Sequence, residues 1–162
     1  MKYLTKAEYS VLVKRDKYWK RRWPYFSYVI ELTKTLNPSS VLEIGPYTQS
    51  LCGDDTMDIY QRFTPTYRWD ASQIPYPINS KSYDVVIALQ VFEHLGTNQR
   101  SAFEEVRRIS KFAILSFPYK WNCPKDTKHH NITKEVIDKW VDSPVSIKEI
   151  GKRIVYFFDF TS

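Results

Sequence analysis

The sequence predicts an α/β protein whose sheet is mostly parallel and covered by helices on both faces. Three observations lead to this prediction. Apolar runs at 83–89 (YDVVIAL) and 112–117 (FAILSF) have the length of strands that are buried on both sides. Segments with helical spacing of apolar residues alternate with such runs. A Gly-Lys turn at 151–152 separates the last two strand-like runs, which makes the final strand antiparallel.

The first half of the chain predicts one clear helix and four strands. Residues 24–36 open with a proline and carry their apolar residues on one face, which is typical of an amphipathic helix. The four strands are predicted at Val41–Ile44, Thr56–Ile59, Tyr67–Ala71 and Tyr83–Leu89. Only ten residues separate Gly45 from Thr56, and Tyr60–Thr66 is also short. The helices after strands one and two are therefore expected to be shortened or missing.

The second half predicts two helices and three more strands. Thr97 or Asn98 can cap a helix that runs to about Ser110, and Thr133 can cap a short helix after a long polar loop at 118–132. The strands are predicted at Phe112–Phe117, Val145–Ile150 and Arg153–Phe160. The result is a seven-stranded, Rossmann-like three-layer sandwich. With 162 residues we expect one domain, in which 1–39 is a basic and aromatic helical segment and 40–162 is the core.

Composition limits the classes of function. No apolar run is long enough for a membrane span and the start is polar, so we expect a soluble, cytoplasmic protein with no membrane partner. Two isolated cysteines predict free thiols. Six of the basic residues behind the net charge of +6 fall within 14–22, interleaved with Tyr18 and Trp19. This segment either packs on the domain or binds an anionic substrate or nucleic acid.

Ligands of doubly wound sheets bind beyond the carboxyl ends of the strands. The glycine turn after strand one is neither a P-loop nor a dinucleotide fingerprint, because no Gly-Lys-Ser/Thr follows and Tyr47 and Ser50 occupy the later glycine positions. Polar and acidic residues follow the other strands. They are Asp58, Asp70-Ala71-Ser72, Gln90 to His94, and the His129-His130 pair in the loop after strand five.

Four segments together resemble a known family: VLEIGPY (41–47), TMDI (56–59), the run from Trp69 to Leu95, and FAILSFPYKW with HHNIT (112–121, 129–133). Their order and spacing are similar to those of small class I S-adenosylmethionine-dependent methyltransferases of the methyltransferase type 11 kind. The resemblance implies S-adenosyl-L-methionine as the cofactor and explains the closing antiparallel hairpin.

The resemblance also implies positions for the cofactor contacts. Glu43 and Gly45 match the family motif whose backbone lies beside the methionine moiety of the cofactor. Asp58 matches the acidic residue that hydrogen-bonds the ribose hydroxyls. Asp70 and Ala71 match the pair that recognises the adenine amino group. Leu89 and Gln90 match the strand-four end that holds the methionine amine. The other predicted cofactor contacts are Pro46, Tyr47, Met57, Ser72 and Phe92. Asp58 and Asp70 could alternatively be turn residues, and Glu93 with His94 could orient the next helix.

Methyl transfer to a hydroxyl requires that the oxygen be aligned with the methyl–sulfur bond and that the hydroxyl lose its proton. His129 or His130 is the predicted base and His94 the next candidate, because histidine titrates near neutral pH. The His129-His130 loop follows strand five, on the side where the acceptor should approach, so we predict O-methylation of a sugar, glycan or other small polar acceptor. No Asn-Pro-Pro-Tyr-like run follows strand four, which argues against methylation of an amino group. No metal is expected, since no third ligand stands at a recognisable spacing. The alternatives are a non-catalytic protein of this fold that binds the cofactor or a partner, and a basic nucleic-acid-binding module.

Overall fold

A computed structural model describes residues 1–53, 55–60 and 64–161 of the chain. Its seven-stranded sheet has the order β3-β2-β1-β4-β5-β7-β6. The strands are β1 Val41–Ile44, β2 Asp55–Asp58, β3 Tyr67–Arg68, β4 Tyr83–Leu89, β5 Ser110–Pro118, β6 Ser146–Ile150 and β7 Arg153–Asp159. Only the pairs that β7 forms with β5 and β6 are antiparallel. The predicted mostly parallel sheet with an antiparallel last strand is confirmed.

Four α-helices and two 3-10 turns accompany the sheet in the described residues. The helices are α1 Lys6–Arg15, α2 Trp23–Thr35, α3 Gln99–Ile109 and α4 Lys134–Ile137, and the turns are Lys17–Trp19 and Phe92–His94. Thr5 and Glu8 form a capping box that starts α1, a Thr-x-x-Glu signal that can be read in the sequence. None of the described helices is long and apolar enough to cross a bilayer.

The apolar strands are buried because each face of the sheet has its own core. In β4, Val85 and Ile87 point to the core that includes α2, whereas Val86 and Ala88 point to the core that includes α3. Successive side chains of a strand alternate between faces, so a strand covered on both sides must be apolar throughout. This arrangement is the three-layer sandwich that the sequence predicts.

The connection after β1 contains no helix in residues 45–53. The N-terminus supports it instead: the Leu4 amide donates to the Leu51 carbonyl at 2.9 Å, and Tyr3 forms a bridge with Cys52. The absence of a helix agrees with the prediction for this crossover. The prediction for the connection between β2 and β3 includes residues 61–63, which lie outside the described residues.

Candidate active site

The carboxyl ends of β1, β2 and β4 open onto a cleft of about 640 Å³, a volume in the range of small-molecule sites. Most of the residues predicted to bind cofactor or substrate line it: Gly45, Tyr47, Met57, Asp58, Asp70, Ala71, Ser72, Leu89, Gln90, His94 and His129. Glu43, Pro46, Phe92 and His130 do not line this cleft. The sheet topology therefore brings together segments that are far apart in the chain.

Gly45, which has no side chain, lines the cleft. Its φ is +68°, and a Cβ atom added there would lie 2.8 Å from Cγ2 of Val91. Its amide donates to the Met57 carbonyl at 2.9 Å, which ties the turn after β1 to the end of β2. Glycine is required here both by the left-handed backbone and by the contact with Val91.

Glu43 lies behind the loop that follows β1. It is buried, and its Oε2 accepts hydrogen bonds from the Ser50 hydroxyl at 2.7 Å and the Leu51 amide at 2.6 Å. Burial raises the pKa of Glu43 to about 7, although these hydrogen bonds act to lower it. Glu43 thus holds the loop after β1 through hydrogen bonds to its buried carboxylate. Ser50 supplies one of these donors and occupies a position that is a glycine in the dinucleotide-binding fingerprint.

The segment before α2 forms one wall of the cleft. Tyr18 and Arg22 both line it, and the ring of Tyr18 stacks on Tyr47 with centroids 3.9 Å apart. The Tyr47 hydroxyl donates to Asp16 at 2.8 Å, and the Arg22 guanidinium lies 4.0 Å from the Tyr18 ring centroid. Sequence reasoning did not include Tyr18 or Arg22 among the site residues, although the mixture of basic and aromatic residues in this segment was the available signal.

Asp58 and Asp70 lie at the cleft in similar local turns. The Tyr60 amide donates a hydrogen bond to Oδ1 of Asp58 at 2.8 Å, and the Ser72 amide donates to Oδ1 of Asp70, also at 2.8 Å. The second oxygen of Asp70 accepts no hydrogen bond within the described part of the chain. Asp70 can therefore stabilise its turn with one oxygen and accept a hydrogen bond from a ligand with the other. Its interpretation as a turn residue and its interpretation as an adenine contact are compatible.

The residues at the end of β4, Leu89 and Gln90, line the cleft. Gln90 has a φ of +59°, and its amide donates to the Ser116 carbonyl at 3.0 Å. Its side-chain Nε2 donates to the Ser116 hydroxyl at 3.3 Å. Phe92, by contrast, is buried in the core beside Phe117, with ring centroids 5.7 Å apart. The predicted cofactor contact at Phe92 is thus a packing residue beneath the site.

Two of the three predicted base candidates, His94 and His129, meet at the cleft. The rings of His94 and His129 are edge to face, with centroids 5.4 Å apart. His130 does not line the cleft, and its Nδ1 accepts a hydrogen bond from the Cys123 amide at 2.9 Å. The fold therefore separates the adjacent histidines: His129 faces the site and His130 holds the loop.

The two cleft histidines have different electrostatic surroundings. The Glu93 carboxylate does most to raise the pKa of His129, and Asp126, whose two oxygens lie 2.9 Å from Nδ1, adds to it. Burial lowers the pKa of His94. Glu93 and Asp126 were not predicted as site residues, because nothing in their spacing indicates that they would meet His129.

Comparison with known proteins supports the resemblance found in the sequence. Residues 50–112 match the family described as a methyltransferase domain. The methyltransferase domain of bacterial CtHen1 is 16% identical with a TM-score of 0.59, over 85% of this chain and 98% of that one. An S-adenosylmethionine-dependent methyltransferase from Clostridium acetobutylicum is 12% identical with a TM-score of 0.64, over 95% and 96%. The 16S rRNA methylase RmtB is 14% identical with a TM-score of 0.62, over 98% and 76%.

The sheet order and the cleft at its carboxyl edge define a methyltransferase-type α/β fold. More particularly, the matched domain and the solved structures confirm the resemblance to class I S-adenosylmethionine-dependent methyltransferases. A comparison with curated proteins found no significant match.

Proposed function

We propose that this protein transfers a methyl group from S-adenosylmethionine to a hydroxyl of a sugar-containing or other small polar acceptor. The observation that carries the proposal is that one cleft joins four segments of the family pattern: the turn at Gly45, the acid at Asp58, the Asp70–Ser72 turn and the end of β4. S-adenosylmethionine is the cofactor that this type of domain uses.

The cofactor assignments follow the donors and acceptors of the cleft. The carboxylate of Asp70 can accept the adenine amino group, and that of Asp58 can accept the ribose hydroxyls. The bare backbone at Gly45 leaves room for the methionine moiety beside the end of β4. Tyr18 and Tyr47, which are stacked on each other, would close this end of the site against water.

The preference for an oxygen acceptor rests on the two histidines that line the cleft. His94 and His129 line the cleft, so either is in place to accept the hydroxyl proton as the oxygen forms its bond to the methyl carbon. The methyl–sulfur bond breaks in the same step, its electron pair stays on sulfur, and S-adenosylhomocysteine leaves as a neutral thioether. His130, which lies outside the cleft, becomes the weakest of the three candidates.

A nucleic-acid acceptor is the second candidate, because Arg22 and Lys128 line the cleft and Trp121 offers an aromatic face there. RNA would satisfy both the basic wall and the need for a sugar hydroxyl. Labelled S-adenosylmethionine supplied with neutral glycans or with short RNAs would separate the two. Methylation of RNA that weakens steeply with salt would favour the second candidate.

Isothermal titration with S-adenosylhomocysteine tests the proposed cofactor site. We expect binding by the wild type and a loss of about tenfold or more in Asp70→Asn, since a neutral amide replaces the charged acceptor at the proposed adenine contact. Asp142→Asn is the matched control, because Asp142 pairs with the exposed Arg100. Absence of wild-type binding at millimolar ligand would refute the methyltransferase proposal, and binding without turnover of any acceptor would favour the non-catalytic alternative.

A further inference from the structure

A buried carboxylate lies beside the cleft. Glu93 belongs to the 3-10 turn after β4, and the exposed fraction of its side chain is 0%. Neither of its carboxylate oxygens accepts a hydrogen bond from the residues that the structure describes. Burying an unpaired carboxylate is energetically unfavourable, so such a group is normally compensated by a cation or a metal ion.

Two imidazole nitrogens are directed at this carboxylate. Nε2 of His129 lies 3.5 Å from Glu93 Oε1, and Nε2 of His94 lies 3.9 Å from the same atom. One donor atom from each of the three residues lies within 4.8 Å of the others. Two ligands bound to one ion at about 2.1 Å are about 3.0–3.4 Å apart, so small side-chain rotations would complete the geometry.

A further carboxylate holds His129 in this orientation. Both oxygens of Asp126 are 2.9 Å from Nδ1 of His129, which leaves Nε2 directed at Glu93. The amides of Lys128 and His129 also donate to Oδ1 of Asp126, at 3.2 Å and 3.0 Å. A carboxylate that binds the second nitrogen of an imidazole is the usual outer support of a histidine metal ligand.

We propose that Glu93, His94 and His129 bind a divalent first-row transition-metal ion at the wall of the cleft. Two imidazoles with one carboxylate suit ions from Mn²⁺ to Zn²⁺ better than Mg²⁺ or Ca²⁺, which prefer oxygen ligands alone. His94 and His129 line the cleft, so the remaining coordination positions face the space for the acceptor. This proposal replaces the sequence-based expectation of no metal, because the fold supplies Glu93 as the third ligand.

Occupation of the site would change how the acceptor is activated. An ion held there would lower the pKa of a hydroxyl that it bound, and the proton would pass to water, because both imidazoles would be engaged as ligands and could not act as the base. Only this consequence rests on the proposed function. Binding of the ion itself depends on the three side chains and not on the methyl donor, so failure of either proposal can be seen separately.

Titration with Co²⁺ after removal of metals by a chelator tests the inference. We expect one ion per chain, seen as visible absorption of coordinated Co²⁺, with competition by Zn²⁺. His94→Gln and His129→Gln should each weaken binding by at least tenfold, and Asp126→Asn by about 10- to 100-fold. His130→Gln is the matched control, since His130 neighbours His129 in the chain but does not line the cleft.

Folding of the variants is checked by circular dichroism and by S-adenosylhomocysteine binding. His94 is 42% exposed, so its substitution should leave the fold intact even if Glu93→Gln, which changes a buried group, does not fold. The inference is overturned if the wild type binds no Co²⁺ at millimolar concentration, or if the His94 and His129 variants bind it as the wild type does.

Discussion

At the scale of single residues, the site depends on backbone positions that only some side chains can occupy. Gly45 and Gly96 both have a positive φ, +68° and +64°, but only Gly45 has a neighbour where a Cβ would be. Tyr47 and Gln90 adopt similar left-handed conformations without being glycine. Tyr47 is held by its stacking on Tyr18, and Gln90 by its hydrogen bonds to Ser116, which offset the strain of that conformation.

Comparison of Gly45 and Gly96 separates the effect of backbone strain from the effect of a steric contact between an added Cβ and Val91. Gly96→Ala should lower the free energy of unfolding by about 1–2 kcal/mol, the cost of a left-handed backbone alone. Gly45→Ala should cost more and should also weaken S-adenosylhomocysteine binding, because the methyl group would push Val91 and the cleft backbone apart. Chemical unfolding and calorimetric titration of both variants measure this. Equal losses in the two variants would contradict the role assigned to the Val91 contact.

At the scale of elements, the N-terminal segment is packed into the domain and reaches the cleft. The 3-10 turn at Lys17–Trp19 buries Trp19, which is 1% exposed, against Tyr9 and Phe26. The neighbouring residue in the same turn, Tyr18, lines the cleft. Anchoring of the tryptophan therefore sets the position of a site residue.

Removal of this anchor should affect both stability and binding. Trp19→Ala is expected to lower the free energy of unfolding by about 3–5 kcal/mol, as for other large-to-small substitutions of a buried tryptophan. It should also weaken S-adenosylhomocysteine binding, since Tyr18 loses its support. Val11→Ala on α1 is the control, with a change within about 0.5 kcal/mol because Val11 is 45% exposed. Unchanged ligand binding in a folded Trp19→Ala protein would show that Tyr18 does not depend on this turn.

At the scale of the whole molecule, one buried acid links stability to pH. The pKa of Glu43 is raised to about 7 in the folded protein, against 4.5 for the ordinary group. Between these values the folded state holds a proton that the unfolded state has lost. The free energy of unfolding should therefore fall as pH rises from about 4.5 to 7, by about 3 kcal/mol for the full interval.

Urea unfolding of the wild type and of Glu43→Gln across this pH range measures the contribution of Glu43 to the pH dependence of stability. We expect the variant to lose the fall in stability between pH 4.5 and 7, because a neutral amide replaces the titrating group. Glu104→Gln removes an exposed carboxylate and should keep the wild-type slope. Parallel curves for wild type and Glu43→Gln would show that Glu43 does not titrate in this window.

Much of the fold could be predicted because its signals are local. Val41–Ile44 and Tyr83–Leu89 were predicted with their observed bounds, since a strand buried on both faces is a continuous apolar run. The cleft residues after β1, β2 and β4 could be predicted from topology, because parallel strands end at one edge of the sheet. The predicted bounds of β3 and β5 were wrong: β3 ends at Arg68 and not at Ala71, and β5 spans Ser110–Pro118 and not Phe112–Phe117. Hydrogen bonds to the neighbouring strands set these boundaries, and local periodicity does not show them.

The sequence by itself determined the fold class, the resemblance to the methyltransferase family and the strand ends that form the cleft. Only the tertiary structure decided that Glu43 supports a loop, that Tyr18 and Arg22 form a wall, and that His129 faces the cleft while His130 does not. It also brought Glu93 to His94 and His129. The physical reason is that strands and turns follow from periodicity over a few residues, whereas these contacts join segments that meet only when helices and loops pack on the finished sheet.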